Sequence, residues 1–169
     1  HAVPVHIDGA RIFNAAVAQG LPLAVLTRHA DSVQICLSKG LCAPVGSLLV
    51  GTVEFIAQAR RYRRLLGGGM RQAGVIAAAG LLALQTMVER LAEDHRHARI
   101  LAEAIAETRL GVDLATVQTN IVQVDVSPLG LSTANFVDYG QKRIRLVTHH
   151  DVSREQIEYV IRVMKVLAG

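Results

Sequence analysis

Residues 33–40, Val33-Gln34-Ile35-Cys36-Leu37-Ser38-Lys39-Gly40, join a short apolar run to an abrupt polar end. Such a run, rich in β-branched residues, predicts a buried strand, and the Ser-Lys-Gly that follows it predicts a loop. The same arrangement occurs upstream, where the apolar run 3–7 is followed by Asp8 and Gly9. Because ligands bind beyond the carboxyl ends of strands in open α/β sheets, Asp8 and Lys39 are candidate site residues.

The rest of the first half predicts further strands and helices. We expect a helix over residues 11–19, a third buried strand over 45–50, and a helix capped by Thr52 that runs to Arg64. The glycines at 67–69 exclude a helix interior there. Residues 71–107 predict one or two long helices. The part over 73–84 is apolar nearly all round, which predicts burial on most sides against another helix or subunit.

The composition changes near Glu89, which we take as the boundary between a domain over 1–90 and a domain over 91–169. The second domain predicts strands over 114–117, 121–126 and 143–148, a short helix over 132–137, and a last helix capped by Ser153. One apolar face of that last helix carries Ile157, Val160, Ile161, Met164 and Leu167. The predicted fold class is α/β, with a strand-rich larger domain followed by a small α+β domain.

Composition excludes several functional classes. The 169 residues are 51% hydrophobic and carry a formal net charge of +4, which excludes a disordered chain. No apolar run approaches the length of a membrane helix, so we expect a cytoplasmic protein without a membrane partner. We interpret Arg60, Arg61, Arg63 and Arg64 as a solvated helix face rather than a nucleic-acid site. We likewise expect His95 and His97 to lie on an exposed helix face without a function.

Cys36 and Cys42 are six residues apart and have no matching Cys or His cluster, so no metal site is predicted.

The pairing of Asp8 with Lys39 points to one chemistry in particular. A crowded lysine amine is suited to Schiff-base formation, because desolvation and neighbouring positive charge depress its pKa. Pyridoxal phosphate needs such a lysine together with an acid for its pyridinium nitrogen. Taken singly, an Asp at the end of a strand, such as Asp8, is more often a turn or cap residue, and a Lys there, such as Lys39, is more often solvated.

Four segments resemble, in the same order, motifs of the threonine aldolases, which are pyridoxal-phosphate enzymes of the aspartate-aminotransferase fold type. The segments are His6-Ile7-Asp8-Gly9-Ala10-Arg11-Ile12-Phe13-Asn14, Cys36-Leu37-Ser38-Lys39-Gly40-Leu41, Gly67-Gly68-Gly69-Met70-Arg71-Gln72-Ala73-Gly74 and Arg145-Leu146-Val147-Thr148-His149. The resemblance implies that residues 1–90 are the C-terminal part of a cofactor-binding large domain, with a mostly parallel sheet and helices.

The resemblance also implies a role for individual residues. Asp8 resembles the carboxylate under the pyridine ring, Arg11 the cation beside its phenolic oxygen, and Lys39 the catalytic lysine that binds the cofactor covalently. Arg71 resembles an arginine near the cofactor phosphate, and Arg145 the arginine that holds the substrate carboxylate. The alternatives are a surface arginine for Arg11 and a cross-strand ion pair for Arg145. We interpret His6 as a packing residue rather than a catalytic base.

The implied activity is the cleavage of L-threonine, L-allo-threonine and related L-β-hydroxy-α-amino acids to glycine and an aldehyde. Two alternatives remain open: another enzyme of the same fold type, such as an aminotransferase or β-eliminating lyase, and a non-catalytic oligomerisation module. The resemblance further implies a homo-oligomer, typically a tetramer. In that family an upstream region supplies the phosphate-binding turn, and another segment lies near residues 138–139. We therefore expect these 169 residues alone to be inactive.

Overall fold

The computed structural model of the chain describes residues 3–130 and 142–168. It divides into two units, His1–Glu89 and Arg90–Gly169. No single helix of the described residues is long and apolar enough to cross a membrane, although the helices Gly74–Thr86 and Leu91–Ala106 together have the necessary length and composition.

The first unit is built from three strands and four helices over its described residues. They are β1 (His6–Gly9), α1 (Ile12–Gln19), α2 (Leu23–Thr27), β2 (Ser32–Cys36), β3 (Ser47–Gly51), α3 (Val53–Leu65) and α4 (Gly74–Thr86). The strand order in the sheet is β1-β2-β3. β1 runs parallel to β2, with Asp8 opposite Gln34, whereas β3 is antiparallel to β2. The prediction of a mostly parallel sheet therefore holds for one of the two strand pairs.

The ends of the helices follow the sequence signals. α1 ends at Gly20, which has the left-handed conformation (φ 62°) that glycine adopts without strain. The Thr52 hydroxyl accepts a hydrogen bond from the Phe55 amide at 3.2 Å, as the predicted cap of α3 requires. No residue of α3 is buried and its four arginines are exposed, while their interpretation as a solvated face rather than a nucleic-acid site stays a prediction.

One burial prediction for the first unit is wrong. All five residues of β3 are exposed, because this strand ends the sheet and pairs with β2 alone. In α4 only Gly80 and Ala83 are buried, and the side chains of Val75, Leu81 and Leu82 are exposed. The described residues therefore cover only part of α4, and its burial against another helix or subunit stays a prediction.

The second unit contains two strands and two α-helices over its described residues. They are α5 (Leu91–Ala106), β4 (Ile121–Asp125), β5 (Arg143–Val147) and α6 (Arg154–Ala168). β4 and β5 are antiparallel, with Gln123 opposite Arg145. The helical segment is interrupted between α4 and α5. The prediction was one or two long helices over residues 71–107, and the structure has two.

The core of the second unit lies between α5, α6 and the two-stranded sheet. Ala98, Ile105, Val122, Val124 and Ile157 belong to one buried cluster, and each is almost fully excluded from solvent. At the start of α6 the Gln156 amide donates to the Ser153 hydroxyl, while the Ser153 amide donates to the Gln156 side chain. This reciprocal pair confirms Ser153 as the cap.

Three predictions for the second unit are wrong. Residues Leu114–Thr116 form a 3-10 turn instead of a strand, because the Asp113 side chain accepts from the Ala115 amide at 3.0 Å. Leu167 is exposed and Ala168 is buried, since eleven residues, about three helical turns, separate residue 168 from Ile157.

The third concerns the histidines of α5. His97 is buried, because it lies three residues after buried Asp94 and four before buried Leu101, on the inward stripe of α5. His95 is half-buried, and that burial lowers its pKa.

The helix predicted over residues 132–137 and the missing segment predicted near 138–139 lie outside the described residues.

Candidate active site

Asp8 lies at the carboxyl end of β1, one residue before the strand ends. Its carboxylate is exposed and accepts a hydrogen bond from the Ala10 amide at 3.1 Å. Gly9 follows, and a Cβ atom at that position would lie 2.6 Å from the Gln34 carbonyl oxygen of β2. Only glycine therefore permits β1 to approach β2 so closely at the point where Asp8 is presented.

Arg11 occupies the position before the first residue of α1 and is half-buried. It follows Asp8 by three residues, across the turn that joins β1 to α1. Its partial burial is compatible with the cofactor role and with the surface alternative, so both stay predictions.

Lys39 lies in the loop after β2, and hydrogen bonds of the backbone define that loop. The Leu37 amide donates to the Gly46 carbonyl at 3.0 Å, and the Leu37 carbonyl accepts from the Ala43 amide at 3.0 Å. The Lys39 carbonyl accepts from the Cys42 amide at 2.9 Å. The main chain on both sides of Lys39 is thus held in one conformation, while the lysine itself is exposed.

Cys36 ends β2 three residues before Lys39 and has a perturbed thiol. Its sulfur lies 3.5 Å from the Ser38 hydroxyl oxygen. Although partial burial raises its pKa, the Ser38 hydroxyl and amide, with the Lys39 charge after them, lower the pKa of the Cys36 thiol below its ordinary value. The lowered pKa of the thiol is therefore a consequence of the polar, positively charged loop that follows it.

The structure brings three of the predicted site residues to one side of the first unit. Because β1 and β2 are parallel neighbours, their carboxyl ends lie at the same edge of the sheet. Asp8 lies at the end of β1 and Lys39 in the loop after β2, and Arg11 follows Asp8 directly. This shared edge agrees with the prediction that Asp8 and Lys39 face one ligand.

Arg71 and Arg145 have different positions. Arg71 is exposed in the segment between α3 and α4. Arg145 belongs to the second unit, where it is exposed opposite Gln123 on the face of the β4–β5 sheet that does not form the core. The roles assigned to both arginines stay predictions.

The residues at the sheet edge fit the ring end of pyridoxal phosphate. A carboxylate, a guanidinium and a primary amine are the groups that its pyridine nitrogen, phenolic oxygen and aldehyde carbon require. Gly9 has no side chain, so β1 lies close to β2 beside that carboxylate. The side-chain chemistry and the backbone geometry therefore agree with the implied cofactor.

The sequence singled out the charged residues but not the apolar residue that holds them. Leu37 is 6% exposed, and both of its backbone polar groups close the loop around Lys39. The available signal was its place as the last apolar residue before Ser38 and Lys39.

Comparison with curated proteins gives consistent relatives. The chain is 49% identical over 163 residues to the low-specificity L-threonine aldolase of Escherichia coli O157:H7, covering 92% of this chain and 48% of that protein. It is 44% identical over 174 residues to low-specificity L-threonine aldolase 1 of Arabidopsis thaliana, covering 95% of this chain and 49% of that protein. The chain thus spans about half the length of the curated relatives it matches.

A solved structure supports the fold. The threonine aldolase of Leishmania major is similar with a TM-score of 0.75 and 18% sequence identity, over 99% of this chain and 53% of that one. The predicted α/β fold class and the resemblance to threonine aldolases are confirmed by these matches. A family model described as beta-eliminating lyase matches residues 1–127, three quarters of the chain. The chain belongs to the beta-eliminating lyase family.

Proposed function

We propose that the protein is a pyridoxal-phosphate-dependent aldolase, which cleaves L-threonine, L-allo-threonine and related L-β-hydroxy-α-amino acids to glycine and an aldehyde. The observation that carries the proposal is the shared edge of the parallel strands β1 and β2, where Asp8 lies at the end of β1 and Lys39 in the loop after β2. The relatives named threonine aldolase, at 44% and 49% identity, select this activity among those of the family.

In this proposal each of the three residues at the sheet edge contacts a different part of the cofactor. Lys39 supplies the amine that attaches it, and the hydrogen-bonded loop fixes the main chain from which that amine extends. Asp8 accepts a hydrogen bond from the ring nitrogen and keeps a proton on it, while Arg11 keeps the phenolic oxygen ionised. When bound, pyridoxal phosphate supplies an electron sink for the charge that develops at the substrate Cα.

Arg145 acts on the substrate. Its planar guanidinium can pair with the α-carboxylate through two parallel hydrogen bonds, a geometry that a lysine cannot reproduce. A carboxylate held in this way fixes the rotation about Cα, and that rotation decides which bond to Cα is aligned for cleavage. Arg145 therefore contributes to the choice of reaction as well as to affinity.

One second candidate follows from the name of the family. A beta-eliminating lyase of the same fold would use the same cofactor but would release a keto acid. The products separate the two: glycine with an aldehyde supports the aldolase, and a keto acid supports the alternative.

Substitution of the lysine tests the proposal. In the full-length protein, Lys39→Ala should abolish covalent attachment of the cofactor and lower glycine formation by at least about 10³-fold, because no other amine replaces it. Lys165→Ala is the matched control, since Lys165 is a surface residue paired with Glu107. Borohydride reduction and peptide mass analysis identify the modified lysine. Covalent attachment of the cofactor to the Lys39→Ala variant, seen after borohydride reduction, contradicts the assignment.

The protein is further proposed to act as a homo-oligomer in the cytoplasm. The exposed apolar side chains Val75, Leu81 and Leu82 of α4 support an additional covering surface. A tetramer is the expected assembly, and sedimentation of the full-length protein measures it.

A further inference from the structure

Leu37 connects the lysine loop to a helix that is distant from it in sequence. Its backbone closes the loop at both ends, through Gly46 and Ala43. Its side chain is 6% exposed and points at α4, where its Cδ1 atom lies 3.0 Å from the place that a Cβ of residue 80 would occupy. Among the described residues, apart from the neighbours of Gly80 and the local backbone of α4, no other atom lies within 4 Å of that place.

Gly80 occupies the middle of α4, a 13-residue helix. Glycine is a poor residue for a helix interior, because it loses the most conformational freedom and packs no side chain. Gly80 is buried, and its φ is not in the left-handed region, so no turn or cap explains it. The close approach of Leu37 is the feature of this structure that does.

We propose that Gly80 is a positioning residue for Lys39: its missing side chain seats Leu37, and Leu37 in turn sets the loop that presents the lysine amine. The role of the amine in this inference rests on the proposed function. The connection from Gly80 through Leu37 to the Lys39 loop rests on the contacts of this chain alone. A methyl group at residue 80 would lie 3.0 Å from Leu37 Cδ1, so the Leu37 side chain would have to shift by a few tenths of an ångström. Because Leu37 is closely packed, we expect that shift to reach the backbone that closes the loop.

The same helix contains a matched control. Gly74 begins α4, and a Cβ atom there meets nothing within 4 Å. Gly74→Ala and Gly80→Ala therefore make the same chemical change in the same helix, and only the second is expected to meet Leu37. The double variant Gly80→Ala with Leu37→Val adds the methyl group while it removes the δ-carbons that the methyl group would meet.

The first measurement needs no cofactor. In the full-length protein, hydrogen exchange of the amides of Leu37, Cys42 and Ala43 should quicken by at least about threefold in Gly80→Ala. Exchange should be unchanged in Gly74→Ala and largely restored in the double variant. Equal exchange in the two single variants, or no restoration in the double variant, overturns the link between α4 and the loop.

The second measurement addresses the amine. In Gly80→Ala the kcat for glycine formation should fall about tenfold with KM changed less than twofold, and the pH midpoint of cofactor attachment should shift. If Gly80→Ala fails to fold, folding of the double variant supports the proposal, and failure of both contradicts it. Absence of aldolase activity from the unaltered full-length protein would contradict the proposed function. The hydrogen-exchange result would still test the connection between α4 and the Lys39 loop.

Discussion

The two units of the chain differ in how they are stabilised. In the second unit, residues of α5, α6 and β4 such as Ile105, Ile157 and Val124 are almost completely buried in one cluster. In the first unit the described buried cluster is smaller, with Ile12, Val33 and Ile35 at its centre, while β3 is exposed throughout and α3 has no buried residue.

The difference teaches where the geometry of the candidate site comes from. Asp8, Arg11 and Lys39 lie in the unit with the smaller described cluster, and the Lys39 loop is anchored by buried Leu37, Leu41 and Ala43 next to it. Short backbone hydrogen bonds fix the Lys39 loop, and close packing at Gly9 fixes the end of β1. We infer that the site depends more on a few local contacts than on the overall stability of its unit.

Truncation of one large apolar residue in each unit tests this comparison most strongly. Ile105→Ala, in the second unit, should lower the free energy of unfolding by about 2–5 kcal/mol, because the residue is 0% exposed. Leu81→Ala, on α4, should cost less than about 0.5 kcal/mol at low protein concentration, because Leu81 is 57% exposed. Urea denaturation measures both values, and similar costs for the two variants would refute the contrast.

A pair of threonines sharpens the comparison. The Thr148 hydroxyl, at the end of β5, donates to the Asp94 carbonyl at 2.6 Å in a buried position. The Thr86 hydroxyl, in α4, donates to the Leu82 carbonyl at 2.8 Å in an exposed position. Thr148→Val should cost about 1 kcal/mol, and Thr86→Val should stay within about 0.5 kcal/mol, because water replaces the exposed bond. Thermal unfolding of each variant gives the two values, and a larger loss in Thr86→Val would reverse the order.

The smallest effect concerns the thiol beside the lysine loop. Because Ser38 lowers the pKa of Cys36, the thiolate forms at a lower pH than in an ordinary cysteine. As the pH increases, the alkylation rate of Cys36 should therefore begin to rise at a lower pH than for an ordinary cysteine. Ser38→Ala should move the pH midpoint of this rise upward. Mass analysis of the alkylated peptide against pH follows both midpoints, and identical curves would show that Ser38 does not stabilise the thiolate.

The local features of the fold could be predicted from particular residues. Gly20 marks the end of α1, Thr52 and Ser153 cap their helices, and the apolar run before Lys39 predicts β2. These signals operate within a few residues, so a single sequence contains them. For the same reason the ordered motifs around Asp8 and Lys39 predicted the family correctly.

The incorrect predictions have two kinds of cause, the surroundings of an element and a local side-chain bond. The exposure of β3 depends on what packs against it, which an apolar composition cannot identify. His97 is polar, yet the turn geometry of α5 directs it inward with Leu101. Asp113 redirects the main chain at residues Leu114–Thr116 with a single side-chain bond that competes with strand formation.

The closed main-chain loop around Lys39 also has a thermodynamic consequence for association. Because the Leu37, Cys42 and Ala43 amides are bonded within the loop itself, these residues should have little backbone entropy to lose when a ligand binds. The affinity of the lysine for an aldehyde should then be governed by the side chain alone, with its four methylene rotors. A ligand that engages Asp8 without the lysine would find the same loop in place.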